Sequence, residues 1–299
     1  MAIDNVHDKF FKDSFARKPL VEGFIQELFP AELSQKIDLA SLEFSNSSYT
    51  DEKLEEHFAD TVYRCNYANN KVLRVALLFE HKSYQEKYPH FQLIRYLLNA
   101  WEQDIKENKE PTITIPIVIY HGKSRWKYQS LTQYFKGIDA DLIRFLPNFD
   151  YLLFDISQFS DGQIMGFKNK FLSLSFLLLK NSRIKSYLLN IANPFVEFIK
   201  SIETMGDMSY IRAVFLYALS TNENLTQEKI MAIFRSISAQ TNELTMSIAE
   251  KIKTEGKEEA TIQFVKGLLK LGMDANTIAA TFDLPLQKVQ FIISELTKA

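Results

Sequence analysis

Glu80 and Lys82, one residue apart in "LLFEHKS", close a strongly apolar run. A second acid, Asp60, stands twenty residues earlier in "FADTVYR". These residue types suit chemistry on a phosphodiester. Two carboxylates make a hard oxygen site for Mg2+, or for Mn2+ or Ca2+ in its place. An ion held there activates water and offsets charge in the transition state. A lysine beside them orients or deprotonates the water, or stabilises the pentacovalent phosphate. The base role needs burial to lower the ammonium pKa, whereas nearby carboxylates keep it charged. The spacing alone leaves these roles open. It equally leaves open an idle surface ion pair, which is worth little to stability.

The elements around these residues decide whether they share a face. The run "VLRVALLFEHK" (72–82) reads as a strand, in which alternation sets Leu73, Val75, Leu77 and Phe79 on one face. Arg74, Ala76, Leu78, Glu80 and Lys82 fall on the other. "FADTVYRCNY" (58–67), rich in β-branched and aromatic residues, reads as its hairpin partner. The turn between them is "ANNK", where Asn69 and Asn70 tolerate positive φ. Asp60, Val62 and Arg64 share a face of that partner, and Cys65 points the other way as a core residue, so Asp60 and Glu80 can converge across the pair. A helix follows, with Pro89 in its first turn and Leu93, Ile94, Leu97, Leu98, Trp101 and Ile105 as its apolar stripe. Segment 7–30 is helical with a break at Pro19, 42–48 is a short strand, 112–122 a buried strand, and 151–157 the last strand. The order helix, strand, hairpin, helix, strand, strand predicts a mixed sheet with helices on its faces.

Past residue 158 the chain turns helical, over 171–179, 187–199, 210–219 and 229–238. A long helical run from Thr245 to Leu271 stops at Gly272, and Asp274 caps "ANTIAATF" before a final helix. These last helices resemble a helix-turn-helix unit. Gln287, Lys288 and Gln290 can then contact bases, or Val289, Ile292 and Ile293 can make the last helix a packing or assembly surface. Composition sets outer limits. With 46% hydrophobic and 24% charged residues among 299, the chain reads as an ordinary globular protein. A net charge of -2 gives no global basic field, although a local cleft can still be basic. One cysteine allows no intrachain disulfide and suits a reducing compartment. The N-terminus is charged within a few residues, and the longest apolar stretch, 171–179, is too short to span a bilayer. A cytoplasmic location and no membrane contact are expected.

Taken in order, "HDKFFKDSF", "FADTVYR", "LLFEHKS" with the following "PHFQLIRYLL", and "IPIVIYHGKSRW" resemble the recombination-promoting nuclease (Rpn) family. That family, also labelled as transposases, sits within the PD-(D/E)xK nuclease superfamily. The resemblance is close over roughly residues 5–160 and looser beyond. It implies an α/β fold with a restriction-endonuclease-like core over 1–160, a mixed central sheet flanked by helices. An all-α C-terminal region would follow, as a helical extension over 161–243 and a helix-turn-helix-like region over 244–299. It implies a Mg2+-dependent DNA endonuclease linked to recombination, mobile elements or defence against foreign DNA. DNA is then the partner, and cutting both strands of a duplex suggests a homodimer. Position by position, Asp60 matches the first acid, and Glu80 and Lys82 match the E-x-K. The carbonyl of His81 would add a metal ligand, and Gln92 matches a glutamine that supports the site from the next helix. Asp8 corresponds more weakly to an N-terminal acid. No proline precedes Asp60, a departure without chemical consequence. An E-x-K site differs from the three-carboxylate site of integrase-type enzymes, so the transposase label does not imply strand transfer. A catalytically inactive DNA-binding protein on the same fold is the alternative, and the intact Asp60, Glu80 and Lys82 argue against it. A purely structural or assembly role, with an incidental acidic pair, is a third reading.

Other residues carry weaker signals. Alternation turns His81 to the apolar side of its strand as a packed ring. His121 in "YHGK" reads as a turn or substrate contact near the cleft. Arg95, Tyr96 and Asn99 follow Gln92 along one side of their helix, as phosphate contacts or a solvated face. "GKSRWKY" (122–128) interleaves three cations with aromatics, which suits a DNA backbone contact or a solvated loop.

Overall fold

The apolar run that ends in Glu80 and Lys82 forms β5 (Asn70–Lys82), the central strand of a five-stranded mixed sheet in the computed structural model. Residues 6–45, 48–50, 56–58, 61–68, 70–184, 186–222 and 225–298 are described, with 48–50, 56–58, 70–80 and 297–298 described by backbone alone. The sheet order is β1 (Glu43–Ser45), β4 (Thr61–Tyr67), β5, β6 (Ile113–Tyr120) and β7 (Leu152–Asp155). The short strands β2 (Ser48–Thr50) and β3 (Glu56–Phe58) pair separately. β4 runs antiparallel to β5, with Thr61 opposite Phe79. β5, β6 and β7 run parallel, with Glu80 opposite Val118, Lys82 opposite Tyr120, and Tyr120 opposite Asp155. Lys82, Tyr120 and Asp155 therefore form a row at the carboxyl ends of three parallel strands. Parallel strands are covered on both faces, which is why β6 is apolar without alternation from Ile115 onward.

Helices α1 (Val6–Phe15) and α2 (Lys18–Leu28) are separated near Pro19, which sits in the first turn of α2 where its missing N–H is not needed. A short α3 (Ala31–Ser34) follows. α4 (Pro89–Lys106) crosses from β5 to β6. One face of the sheet packs under α4 through Val62, Leu93, Tyr96, Val118, Tyr120, Trp126 and Tyr151. α4 buries Leu93, Tyr96, Leu97, Ala100 and Asp104, whereas Leu98 and Ile105 are exposed. The apolar stripe expected from the sequence is thus rotated. The cause is polar: buried Asp104 accepts from Arg64 Nη2 at 2.9 Å and from the Thr112 N–H at 2.9 Å, so the helix turns this acid toward the sheet. A buried charge must meet its partners, and the stripe yields to that need.

After α5 (Ala140–Ile143) and β7 the chain is helical. α6 (Asp161–Met165), α7 (Lys170–Asn181), α8 (Tyr187–Asn190), α9 (Ala192–Thr204), α10 (Met208–Thr221) and α11 (Gln227–Arg235) follow in order. α7 is apolar almost all round and is buried accordingly, packing against α2, α6 and α9. Phe24 of α2 meets both Phe154 of β7, at 4.8 Å, and Phe176 of α7, at 6.1 Å, so these helices cover the sheet face opposite α4.

Contacts divide the chain into one compact unit over Ala2–Ile233 and another over Phe234–Ala299. The second holds α12 (Ala239–Lys270), α13 (Ala275–Thr281) and α14 (Leu286–Lys298). α12 stops where Gly272 takes φ +85°, a conformation that favours glycine. Asp274 then caps α13, accepting from the N–H groups of Asn276 and Thr277. Val265, Ile278, Ala279, Val289 and Ile292 form this unit's core, so Val289 and Ile292 are internal packing residues. Gln287, Lys288 and Gln290 are exposed. Among the described residues no helix is long and apolar enough to cross a membrane.

Candidate active site

Strand alternation puts Lys82, and with it the Glu80 position, on the α4 side of β5. Lys82 is buried, at 8% exposure, and its Nζ donates to Oε1 of Gln92 at 2.7 Å. Gln92 lies in the first turn of α4, and its Nε2 donates to the Tyr96 hydroxyl at 2.6 Å. Gln92 and Tyr96 are four residues apart and so stack on one helix face. The ring of Tyr84 lies 5.7 Å from the ammonium. A buried polar group needs hydrogen-bond partners, and Gln92 supplies one to Lys82, held in place by Tyr96. Glu80 is fixed by backbone register opposite Val118, two residues from Lys82 on the same side. Asp60 lies outside the described residues.

The opposite face of β5 carries rings. His81 stacks on Phe11 of α1 at 4.8 Å and on His121 at 4.6 Å. His7 lies 5.3 Å from His121, and its Nδ1 is 2.8 Å from the Tyr217 hydroxyl. His121 is 1% exposed and donates from Nδ1 to the Leu179 carbonyl at 3.0 Å. Burial, helped by His7 and Arg183, pushes its pKa down to about 3. Burial first, and then His121 and His7, hold His81 well below the ordinary histidine value. These are neutral packed rings. His121 is therefore a core residue rather than the turn or substrate contact expected from the sequence, because the residue after Tyr120 turns to the other face. Among the described residues no group of three or more His, Cys, Asp or Glu is arranged to hold a metal. Asp8 sits on α1, the helix whose Phe11 packs on this histidine face, and pairs with Lys12 at 3.0 Å.

The loops after β5 and β6 are tied together at the carboxyl ends of the strands. Gln85 Nε2 donates to the carbonyls of Arg125, at 2.8 Å, and Ser124, at 3.2 Å. Arg183 donates to the carbonyls of His121 and Ser83, each at 3.1 Å. In the segment 122–128, Trp126 is buried edge-on against Tyr120 at 5.1 Å, and its backbone N–H donates to Asp155 Oδ2 at 2.9 Å. Lys123, Arg125, Lys127 and Tyr128 are exposed around it. Gly122 permits the turn, since a Cβ there would lie 2.1 Å from the Tyr120 hydroxyl. Arg95 is exposed, Asn99 half-buried, and Tyr96 buried, so the three do not form one solvated face. Burial, with Asp38 adding, raises the Cys65 thiol to about 12, which makes it an inert core residue. Sequence reading missed Tyr96 as the support for Gln92, although the four-residue spacing signals it. Nothing local signals that His7, His81 and His121 meet.

Among known proteins, the chain matches the family described as "Putative transposase, YhgA-like" over residues 5–209. Recombination-promoting nuclease RpnA of Escherichia coli (strain K12) is 25% identical over 272 residues, covering 89% of this chain and 90% of the relative. Recombination-promoting nuclease RpnD of Escherichia coli O157:H7 is 26% identical over 252 residues, covering 83% and 94%. A relative named Inactive recombination-promoting nuclease-like protein RpnE, of Escherichia coli (strain K12), is 23% identical over 290 residues, covering 93% and 94%. No solved structure matches the chain. The matched span contains β5, α4 and the Lys82–Gln92 pair, and covers well over half of the sequence: the chain belongs to the YhgA-like transposase family, which its similarity to the recombination-promoting nucleases accompanies.

Proposed function

We propose that the chain is a metal-dependent DNA endonuclease on a restriction-endonuclease-like core, hydrolysing phosphodiester bonds. The observation that carries this reading is the buried Lys82 ammonium held by Gln92 at 2.7 Å beside the position of Glu80. A lysine idling on the surface would be solvated, whereas this one is enclosed and braced. The nuclease names of similar proteins support the same reading. Asp60 and Glu80, with the His81 carbonyl, would hold Mg2+. The donor chemistry fits a hard ion, because two carboxylates and a carbonyl are oxygen donors, and the His81 imidazole is turned away against Phe11. The ion when bound supplies Lewis acidity toward water and the phosphate. Lys82 places a fixed positive charge where the pentacovalent phosphate develops negative charge, in a site of low exposure where such a charge is most effective. Gln92 keeps the ammonium from rotating away, and Tyr96 keeps the Gln92 amide in register. The C-terminal unit, with Gln287, Lys288 and Gln290 exposed, would add DNA contacts. A homodimer would bring one site to each strand of a duplex.

One observation favours a second reading, a DNA-binding protein without activity: a relative of comparable similarity is named inactive. Incubation with supercoiled plasmid separates the two. Cleavage in Mg2+ or Mn2+ that stops with chelator, and that Asp60→Ala and Lys82→Ala each abolish, is the expected result. Lys82→Ala cleaving as fast as the parent would overturn the proposal. Binding without cleavage in either metal would leave the second reading standing.

A further inference from the structure

Beside the Lys82–Gln92 pair the surface carries a run of open aromatic rings. Phe91, one residue before Gln92, is 45% exposed, Tyr88 at the N-cap of α4 is 38% exposed, and Tyr128 is 41% exposed. Tyr134 links them, with its ring 5.1 Å from Tyr88 and 5.8 Å from Phe91. His90, itself fully buried, lies 5.3 Å from Tyr134 and 6.4 Å from Tyr128 and joins Tyr128 to these rings from below the surface. Single exposed aromatics need no explanation, but three exposed rings gathered around one half-buried tyrosine and one buried histidine do. Cations interleave with it. Lys87 Nζ lies 5.0 Å from the Tyr88 ring, and Arg125 and Lys127 are exposed on either side of Trp126. Their loop is the one Gln85 grips, and it follows the carboxyl end of β6, next to Lys82 at the end of β5. Open α/β sheets take ligands outside the carboxyl ends of their strands. A pocket of about 510 Å3 opens under the same loop, between Trp126, Tyr128 and Phe159, with room for a base.

We propose that this surface is a stacking platform for a single-stranded segment of DNA. Tyr88, Phe91 and Tyr128 take base faces, and Lys87, Arg125 and Lys127 take the phosphates between them. Open rings among cations are what an unpaired strand requires, because every base offers a π-face and every linkage a charge. A duplex keeps its base faces stacked inside and has no use for the rings. A protein partner fits less well, since lysine is depleted from the centre of protein interfaces. The platform rests on the nuclease reading for its choice of DNA, and it narrows that reading to substrates with an unpaired stretch beside the cleaved bond.

The test is binding of a fluorescent oligo(dT) and of a duplex of equal length to the full chain, by anisotropy in chelator so that no cleavage intervenes. The parent is expected to prefer oligo(dT). The double variant Tyr88→Ala/Phe91→Ala is expected to weaken oligo(dT) binding by about fivefold or more for each ring removed, with duplex binding and thermal midpoint unchanged. Tyr88→Trp/Phe91→Trp should restore or tighten it. Arg125→Gln/Lys127→Gln should weaken both ligands and lower the salt slope for oligo(dT) by about 0.7 for each phosphate no longer neutralised. Equal oligo(dT) affinity for the parent and the double alanine variant would overturn the platform. So would a change in oligomeric state on ring removal without a change in DNA affinity, which would assign the rings to a second copy of the chain. A platform that binds while plasmid stays intact would count against the nuclease alone. Metal-dependent cleavage with ring-independent binding would count against the platform alone.

Discussion

Gln92→Ala tests the link between structure and chemistry most directly. It removes the acceptor 2.7 Å from the Lys82 ammonium and the donor 2.6 Å from the Tyr96 hydroxyl. A hydrogen bond to a charged group contributes about 1.5–3 kcal/mol. If all of that is lost from the transition state, cleavage slows by about 10- to 150-fold, at 1.36 kcal/mol per decade. The ground state loses support as well, and a unit of this size drops by about 2–4 °C in thermal midpoint for each kcal/mol. Gln92→Glu keeps an acceptor at Lys82 but replaces the amide donor to Tyr96, so it should keep more of the rate than alanine does. Tyr96→Phe removes only the outer bond and should cost less than Gln92→Ala. The assay is single-turnover plasmid cleavage at saturating Mg2+, with thermal unfolding followed by circular dichroism. A Gln92→Ala protein that cleaves at the parental rate while its midpoint falls as expected would show that the Lys82–Gln92 bond holds the fold alone, and the positioning argument would fail.

Two further expectations concern stability. Burial pushes His121 to about 3, from an ordinary 6.5 in the unfolded chain, and holds His81 well below that value. Above pH 6.5 neither state binds these protons, and the packing contribution is fully present. As pH falls below that, the unfolded chain takes up protons that the folded chain refuses, and stability drops by about 1.4 kcal/mol per pH unit for each such ring. Thermal midpoints between about pH 7 and about pH 5 should show this fall, and a flat profile would contradict the neutral histidine stack. Asp104→Ala strips a carboxylate of 2% side-chain exposure from Arg64, which is 24% exposed. Breaking a buried pair costs about 3–5 kcal/mol, and the partial exposure of Arg64 places the expectation at the low end. Urea unfolding measures it; a loss below about 1 kcal/mol would mean that water replaces the acid without penalty.

Local rules were enough for the parts of this protein that depend on neighbours in the chain. Alternation alone puts Glu80 and Lys82 on one face of β5 and His81 on the other, because successive side chains in a strand must point opposite ways. The breaks at Pro19 and Gly272 and the cap at Asp274 follow from backbone restrictions within a few residues. The order of strands and helices follows from the change of hydrophobic period along the chain.

Long-range register decided the rest. The orientation of α4 depends on Arg64, forty residues before Asp104, and an apolar stripe counted along the helix cannot register that pull. Lys82 is buried because β6 runs beside it with Tyr120 opposite and α4 folds Gln92 over its ammonium. His7, His81 and His121 are scattered along the sequence and meet only because α1 covers the face to which alternation sends the odd residues of β5. The basic and aromatic segment 122–128 reads as one uniform pattern, yet the structure sorts it, Trp126 inward onto Tyr120 and Arg125 and Lys127 outward. Sequence alone thus determined which side chains travel together on a face. Tertiary structure alone decided what each face meets, because burial, pairing and charge compensation belong to contacts between elements and not to any one of them.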